Sequence, residues 1–238
     1  MNIFFTGTEK GCGKTMLAGG IASVMQSLEY STGVYKPIQT GALDGGKCLI
    51  SPDLSFVKML NPYIQTHSTY MFKTKAMPII GAELEHKNIN IDEIVRDYNI
   101  LNEKTDILIV ESTGGLMMPV KDNIFNAHIP LSLKIPVVFI ICPSADGLEN
   151  CINTLNTAKS AELDVAGIII NKYQPYSENP DIKAFPTLIE NYTDTKILGI
   201  IRTFKGKTVA ENVLFKEILN GVNLQELFNI KIPKLSGF

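Results

Sequence analysis

The 238-residue chain carries 22 basic and 24 acidic residues for a formal net charge of −2, and hydrophobic residues make up 45% of it against 19% charged. Charge this balanced and dispersed argues against nucleic-acid binding, which needs a concentrated basic face, and the longest apolar stretch, residues 135–143, is too short to cross a bilayer. The length suits one large α/β domain, residues 1–238, because no linker, repeat or low-complexity segment divides it.

Residues 2–6 form the first predicted strand. It opens into Thr6-Gly7-Thr8-Glu9-Lys10-Gly11-Cys12-Gly13-Lys14-Thr15. A strand, a glycine-bearing loop and Gly-Lys-Thr at a helix start is the pattern of a phosphate-binding P-loop. The glycines let backbone N–H groups converge on an anion, and the helix N-terminus adds partial positive charge. In that pattern Lys14 reaches the terminal phosphates and the Thr15 hydroxyl ligates Mg²⁺. The spacing departs from the usual one: five residues separate Gly7 from Gly13, and Thr8 stands where the first glycine would be.

A helix follows over residues 14–28, then a strand over 32–36 that ends in Lys36-Pro37. A residue before proline is pushed toward extended geometry, which puts Lys36 at the strand's C-terminal end. Residues 39–41 read as a loop and 44–46 as a turn. Ser51-Pro52-Asp53 reads as a capped helix start with proline in the first turn. Residues 61–75 read as irregular, 77–84 as a short helix and 91–103 as a longer one. The run Ile107-Leu108-Ile109-Val110 is a strand covered on both faces, and it ends at Glu111. Residues 114–119 form a loop expected to be mobile. A helix over 124–133 leads to a strand over 137–142, a helix over 148–161 and a strand over 165–170 that ends at Asn171. Helix 181–191, strand 197–200, helix 209–219 and a turn at 224–228 complete the reading. Alternating strands and helices with buried strands imply a P-loop NTPase-like, doubly wound, mostly parallel sheet flanked by helices. Ligands bind at the carboxyl ends of such strands.

The four cysteines, Cys12, Cys48, Cys142 and Cys151, include no Cys-x-x-Cys pair. Without a secretory leader they read as reduced thiols in a cytoplasmic protein. His67, His86 and His128 lie away from the predicted strand ends and read as structural or solvated. Lys14, Lys36, Glu111 and Asn171 all follow strands and should crowd one edge. Glu111 reads as the acid that holds Mg²⁺, or as a strand-end cap. Asp53 reads equally as a helix cap or a metal ligand. With Thr15, phosphate oxygens and water, these carboxylates make a plausible Mg²⁺ oxygen set. Lys36 is placed to neutralise charge on a transferred group. Asn171 is either a turn former or an adenine contact through its one donor and one acceptor.

Several stretches together resemble dethiobiotin synthetase. They are the P-loop with its extra residue, Gly33-Val34-Tyr35-Lys36-Pro37-Ile38-Gln39-Thr40-Gly41, Ser51-Pro52-Asp53, Val110-Glu111-Ser112-Thr113-Gly114-Gly115, Pro119, Asp122, Cys151-Ile152-Asn153 and Asn171. Tyr-Lys-Pro followed by Thr-Gly is the most specific part. The resemblance implies an ATP- and Mg²⁺-dependent ligase that closes a cyclic urea from 7,8-diaminononanoate and CO₂, acting as a homodimer. It further implies that Gly11, Cys12, Gly13, Lys14, Thr15 and Met16 hold the triphosphate, with Asp53, Glu111 and Gly114 beside them and Asn171 at adenine. Thr15, Asp53 and Glu111 serve Mg²⁺, and Lys36 acts with Lys14 on the carbamate and γ-phosphate. Thr40 contacts the diamine, and Asn153 belongs to the element that holds the substrate's carboxylate tail. The chain departs from the family where Lys10 and Gly11 replace a threonine and an acid, Asn150 replaces a glycine, Arg202 a proline and Ile79 a histidine. Lys10 adds a cation near the phosphates.

Three other classes compete. A partitioning or cell-division switch ATPase would carry a signature lysine five residues before Lys14, where Glu9 stands; Lys10 is one place off. The C-terminal residues 223–238, interrupted by Pro233, make a poor membrane anchor. An ATP-dependent amidase or ligase for another metabolite and an inactive binding module complete the set.

Overall fold

The computed structural model describes residues 1–144, 146–204 and 211–232. In chain order the elements are β1 (Asn2–Gly7), α1 (Lys14–Ser27), β2 (Thr32–Tyr35), β3 (Ile38–Thr40), β4 (Leu43–Asp44), β5 (Leu49–Ile50), α2 (Pro52–Leu60), β6 (Gln65–His67), β7 (Tyr70–Phe72), α3 (Pro78–Leu84), α4 (Ile91–Asn102), β8 (Ile107–Glu111), β9 (Pro119–Lys121), β10 (Ile124–Phe125), α5 (His128–Leu133), β11 (Val137–Ile141), α6 (Gly147–Ser160), β12 (Val165–Tyr173), α7 (Pro180–Tyr192), β13 (Ile197–Arg202), α8 (Glu211–Gly221) and α9 (Leu224–Phe228).

Seven strands form one sheet in the order β13-β12-β11-β1-β8-β2-β6. Every neighbouring pair in it is parallel. β8 inserts between β1 and β2, and β11 then pairs on the other side of β1. The winding therefore reverses at β1, and a reversal of this kind opens a crevice at the carboxyl ends of the strands. The buried runs of β8 and β11 are apolar throughout, apart from the terminal Glu111. Because successive side chains point to opposite faces, Ile3, Phe5, Ile107 and Ile109 join the core under α1, α2, α8 and α9. Phe4, Leu108 and Val110 join the core under α4, α5, α6 and α7.

α1 is pinned between neighbours rather than lying on a surface. A Cβ at Gly19 would meet Leu60 and Val57 of α2 at 3.1 and 3.2 Å, and one at Gly20 would meet Ile218 and Leu214 of α8 at 2.5 and 3.0 Å. The two small residues let both helices close on the helix that starts the phosphate loop.

The mostly parallel, doubly wound sheet expected from the sequence is the observed architecture. Its short pieces differ from expectation. Residues 39–41 are not a plain loop, because Ile38–Thr40 pairs in parallel with Tyr70–Phe72. The stretch 61–75 contains both that partner and β6, the polar edge strand of the main sheet. The turn at 44–46 closes a two-residue antiparallel pairing of β4 with β5. The helix expected over 124–133 begins only at His128, since Ile124 and Phe125 pair with β9. These segments are too short to show a period of 2 or 3.6. β12 runs on through Asn171 to Tyr173, and β13 to Arg202. The helix expected over 209–219 is described from Glu211; its first two residues lie outside the described residues, as do 233–238 of the C-terminal stretch. No described helix is long and apolar enough to cross a membrane.

Candidate active site

The loop after β1 passes beneath the first turn of α1. Gly13 has φ 95°, and a Cβ there would lie 2.2 Å from Asn171 Nδ2, so only glycine fits. Cys12 is buried under the loop, its Sγ 3.7 Å from Lys14 Nζ. Asn171 Nδ2 donates to the Cys12 carbonyl at 2.7 Å and Lys172 Nζ to the Gly11 carbonyl at 2.7 Å. Two consecutive residues of β12 thereby hold two consecutive loop carbonyls back, which leaves the loop's N–H side for an anion.

The C-terminal ends of β2 and β8 bring the charged groups to this loop. Lys36 follows β2, and its backbone N–H donates to the His67 carbonyl of β6 at 3.0 Å. Its ammonium lies 2.6 Å from Asp53 Oδ2 and 2.9 Å from Glu111 Oε1. Asp53 is carried in the first turn of α2. Ser51 caps that helix, accepting from Leu54 N–H at 3.1 Å and donating to Gln39 Oε1 at 2.6 Å. The Thr15 hydroxyl donates to Glu111 Oε1 at 2.6 Å. Burial by itself would lower the Lys36 pKa, but the carboxylates of Glu111 and Asp53 more than offset it and hold the value above that of an ordinary lysine.

One ammonium between two carboxylates leaves a net charge of −1 at a largely buried spot. Glu111 Oε2 is buried there without a hydrogen-bond partner. A buried, orphaned carboxylate oxygen is costly. Beside a hydroxyl and a second carboxylate it fits the oxygen ligation of Mg²⁺.

These groups line a cleft of about 960 Å³ together with Lys10, Gly11, Gly13, Met16, Thr40, Lys75, Thr113 and Gly114. A second cleft, of about 400 Å³, shares Thr8, Met77, Gly115 and Met118 with the first and runs to Asn150, Asn153, Thr154 and Thr157. Thr40 thus lies in the cleft with Lys36, and Asn153 in the adjoining one. Asn171 and Cys12 lie beneath the P-loop rather than on the cleft wall. Asn171 Nδ2 is committed to the Cys12 carbonyl and its Oδ1 is buried without a partner, so the side chain supports the loop and does not face the cleft where an adenine contact was expected. Arg202 turns outward to Glu217 of α8 at 2.6 Å. Burial pushes the Cys142 and Cys151 thiols up to about 12, so both stay protonated fillers.

Sequence reasoning missed Gln39, Lys75, Thr113 and Lys172 as parts of this region. Gln39 and Thr113 lie inside motifs already singled out, and Lys172 adjoins Asn171. Lys75 had no local signal, because its place depends on the parallel pairing of β3 with β7.

Over residues 1–206 the chain matches the AAA domain family. ATP-dependent dethiobiotin synthetase BioD of Bacillus subtilis subsp. natto is 28% identical over 229 residues, which cover 95% of this chain and 96% of the relative. The protein of the same name from Brachyspira hyodysenteriae is 30% identical over 206 residues, covering 84% of this chain and 90% of the relative. Among solved structures, the MinC:MinD cell division protein complex of Aquifex aeolicus aligns with a TM-score of 0.64 over 98% of this chain and 97% of that one. At 13% identity that is a likeness of fold. With a P-loop at the winding reversal and matches along most of its length, the chain belongs to the AAA domain family and to the dethiobiotin synthetase family.

Proposed function

We propose that the chain, acting as a single domain, is an ATP-dependent cyclo-ligase that converts 7,8-diaminononanoate, CO₂ and ATP into dethiobiotin, ADP and phosphate. The observation that carries this reading is the buried Lys36 ammonium, held between Asp53 and Glu111 at the rim of a P-loop cleft. One amine of the substrate adds to CO₂ as a carbamate. The carbamate oxygen attacks the γ-phosphorus and ADP leaves. The second amine then attacks the carbonyl carbon of the mixed anhydride, and phosphate leaves as the ring closes.

This chemistry asks for two anions to be held together and their charge neutralised, rather than for a nucleophilic side chain. Lys14 and the amides of Gly11 to Thr15 hold the triphosphate, with Met16 and Gly114 on the walls. Lys36 is cationic throughout the working pH range and meets the carbamate and the transferring phosphoryl group. Mg²⁺, held by Thr15, Asp53 and Glu111, would draw negative charge from the phosphates. The adenine contact read at Asn171 requires its side chain, buried beneath the P-loop and bonded to the Cys12 carbonyl, to turn toward the cleft. Thr40 serves the diamine end. Asn153 serves the carboxylate tail, in an element assigned to a homodimer interface. The partners are thus small molecules and a second copy, in the cytoplasm, with neither nucleic acid nor membrane involved.

Phosphate release tests the reading. It should rise only when both the diamine and bicarbonate accompany Mg-ATP. The likeness to cell-division ATPases favours a second reading, a nucleotide-dependent switch. Against it stands the register of the loop, where Glu9 occupies the place of the signature lysine. Hydrolysis stimulated by lipid or a protein partner and indifferent to the diamine would decide for the switch. Stimulation by a different amine or acid would point to a ligase or amidase for another metabolite.

A further inference from the structure

The loop between β8 and β9 forms part of both cleft walls. Its residues were expected to be mobile, yet one buried side chain ties them down. Asn126, just beyond β10, is fully buried. Its Nδ2 donates to the carbonyls of Thr113 and Gly115, both at 2.9 Å. Its own backbone N–H donates to the Met118 carbonyl at 3.0 Å, and that of Ala127 to the Leu116 carbonyl at 3.0 Å. The carbonyl between, that of Gly114, accepts from Ser112 Oγ at 2.7 Å. All three carbonyls from Thr113 to Gly115 are therefore taken by the protein. Among the described residues, none of the three backbone N–H groups of Thr113, Gly114 and Gly115 donates to a protein acceptor. Gly114 has φ 92°, the left-handed conformation found in anion-binding nests, and Thr113, Gly114 and Gly115 all line the larger cleft.

We propose that Asn126 is a positioning residue for the transfer step. By holding the Thr113 and Gly115 carbonyls with one amide group, it leaves the loop's N–H groups to the cleft as an anion cradle opposite the P-loop. The ligand class is the phosphoryl oxygens of the transferring group. Asn126 itself touches no reactant and acts through the loop. Its Oδ1 lacks a partner, so the position is held by the two donated bonds and not by a satisfied amide. The inference rests on the ligase reading, and one of its tests is independent of that reading.

Asn126→Leu keeps the approximate size and removes both donors. In the full chain with Mg-ATP, diamine and bicarbonate, kcat should fall about 10²-fold, the size of effect seen when one preorganised donor is lost. The Kd for Mg-ADP should stay within about threefold, because the P-loop is untouched. A kcat within about threefold of wild type overturns the proposal, as does an equal loss of kcat and nucleotide affinity, which is what general damage would produce. Should the leucine variant not fold, Asn126→Asp serves. Its neutral acid form can donate one of the two bonds, so its kcat relative to wild type should rise as pH falls, and a flat ratio overturns the proposal. Independently of turnover, ¹⁵N-glycine spectra of the wild-type chain titrated with inorganic phosphate should show Gly114 and Gly115 moving along with Gly13. Movement of Gly13 alone overturns the cradle. A wild-type chain that ignores the diamine sinks the ligase reading, and the glycine signals then decide the cradle by themselves.

Discussion

The two clefts share a wall and are built by different means. The larger one takes Lys36 and Glu111 from the ends of β2 and β8, which with β1 are adjacent parallel strands of the main sheet, and adds Asp53 from α2 and Lys75 from beyond β7. The backbones of these three strands are fixed by ladders on both sides, so Lys36 and Glu111 are set by the same hydrogen bonds that set the sheet. The smaller cleft is assembled from Gly7 and Thr8 at the end of β1 together with α6, residues 115–119 and Met77 just ahead of α3, and apart from β1 these are tied to the sheet by side chains and isolated backbone bonds. The difference suggests a division of labour. On the proposed function, the rigid cleft would hold the groups that must meet a developing charge to within fractions of an ångström, and the looser one the part of a substrate that does not react.

That division is broken most directly at Lys36. Lys36→Ala should lower kcat by about 10²–10³-fold, the scale of losing a preorganised electrostatic contact. The affinity for Mg-ADP should change little, because Lys14 and the loop amides remain. A variant that turns over at wild-type rates would leave the central cleft without its assigned task.

Glu111 sharpens the same point at a smaller scale. Its Oε1 already accepts from Thr15 and Lys36, so the unpaired Oε2 is the oxygen free to ligate. Glu111→Gln should raise the Mg²⁺ concentration for half-maximal rate by at least about tenfold, given the 10–100-fold that even outer-shell partners carry. An unchanged metal titration would return Glu111 to the simpler role of partner to Lys36. In the looser cleft the expected effect is smaller again. Asn153→Ala removes one neutral hydrogen bond, worth about 1 kcal/mol or roughly a fivefold rise in the KM for the diamine, with kcat unchanged. A fall in kcat with KM constant would mean that this cleft takes part in the chemistry, and the division of labour would fail.

The same contrast explains what could be read in the sequence. β8 and β11 announce themselves as unbroken apolar runs, and the P-loop and Tyr-Lys-Pro are local strings whose residues stay together in space. So of Lys14, Lys36, Glu111 and Asn171, expected at one edge because each follows a predicted strand, the first three line the cleft together, while Asn171 lies within β12 beneath the loop. Asn171 illustrates a limit. Its nearness to the P-loop was legible, but that its amide would be committed to the Cys12 carbonyl depends on a contact 159 residues apart in sequence. β6 and β7 were not legible, since three residues cannot display an alternation and Gln65 and Thr66 lack the apolar signal of an interior strand. Lys75 and Asn126 escaped for the same reason, because each is placed by a short pairing that propensity does not encode.

The smallest effect expected concerns pH, and it tests whether the rigid cleft keeps its lysine charged. Flanked by Glu111 and Asp53, Lys36 has its pKa raised in the folded chain despite burial. A group with a folded pKa above its unfolded value adds stability that is fully present below the unfolded value, about 10.4 for lysine. That stability is lost as pH rises through the folded value. The difference in unfolding free energy between wild type and Lys36→Met, measured by urea titration, should therefore be flat from about pH 7 to 10. Above that it should move against the wild type, as the unfolded lysine gives up its proton before the folded one does. Titrations of groups remote from Lys36 cancel in the difference, while those of Asp53 and Glu111 are followed separately by carboxylate NMR in each chain, because the variant takes away their cation. A slope already present between about pH 7 and 9 would mean that burial outweighs the two carboxylates and that the lysine is losing its charge in the working range. The central cleft would then lack the fixed cation on which the comparison with its softer neighbour depends.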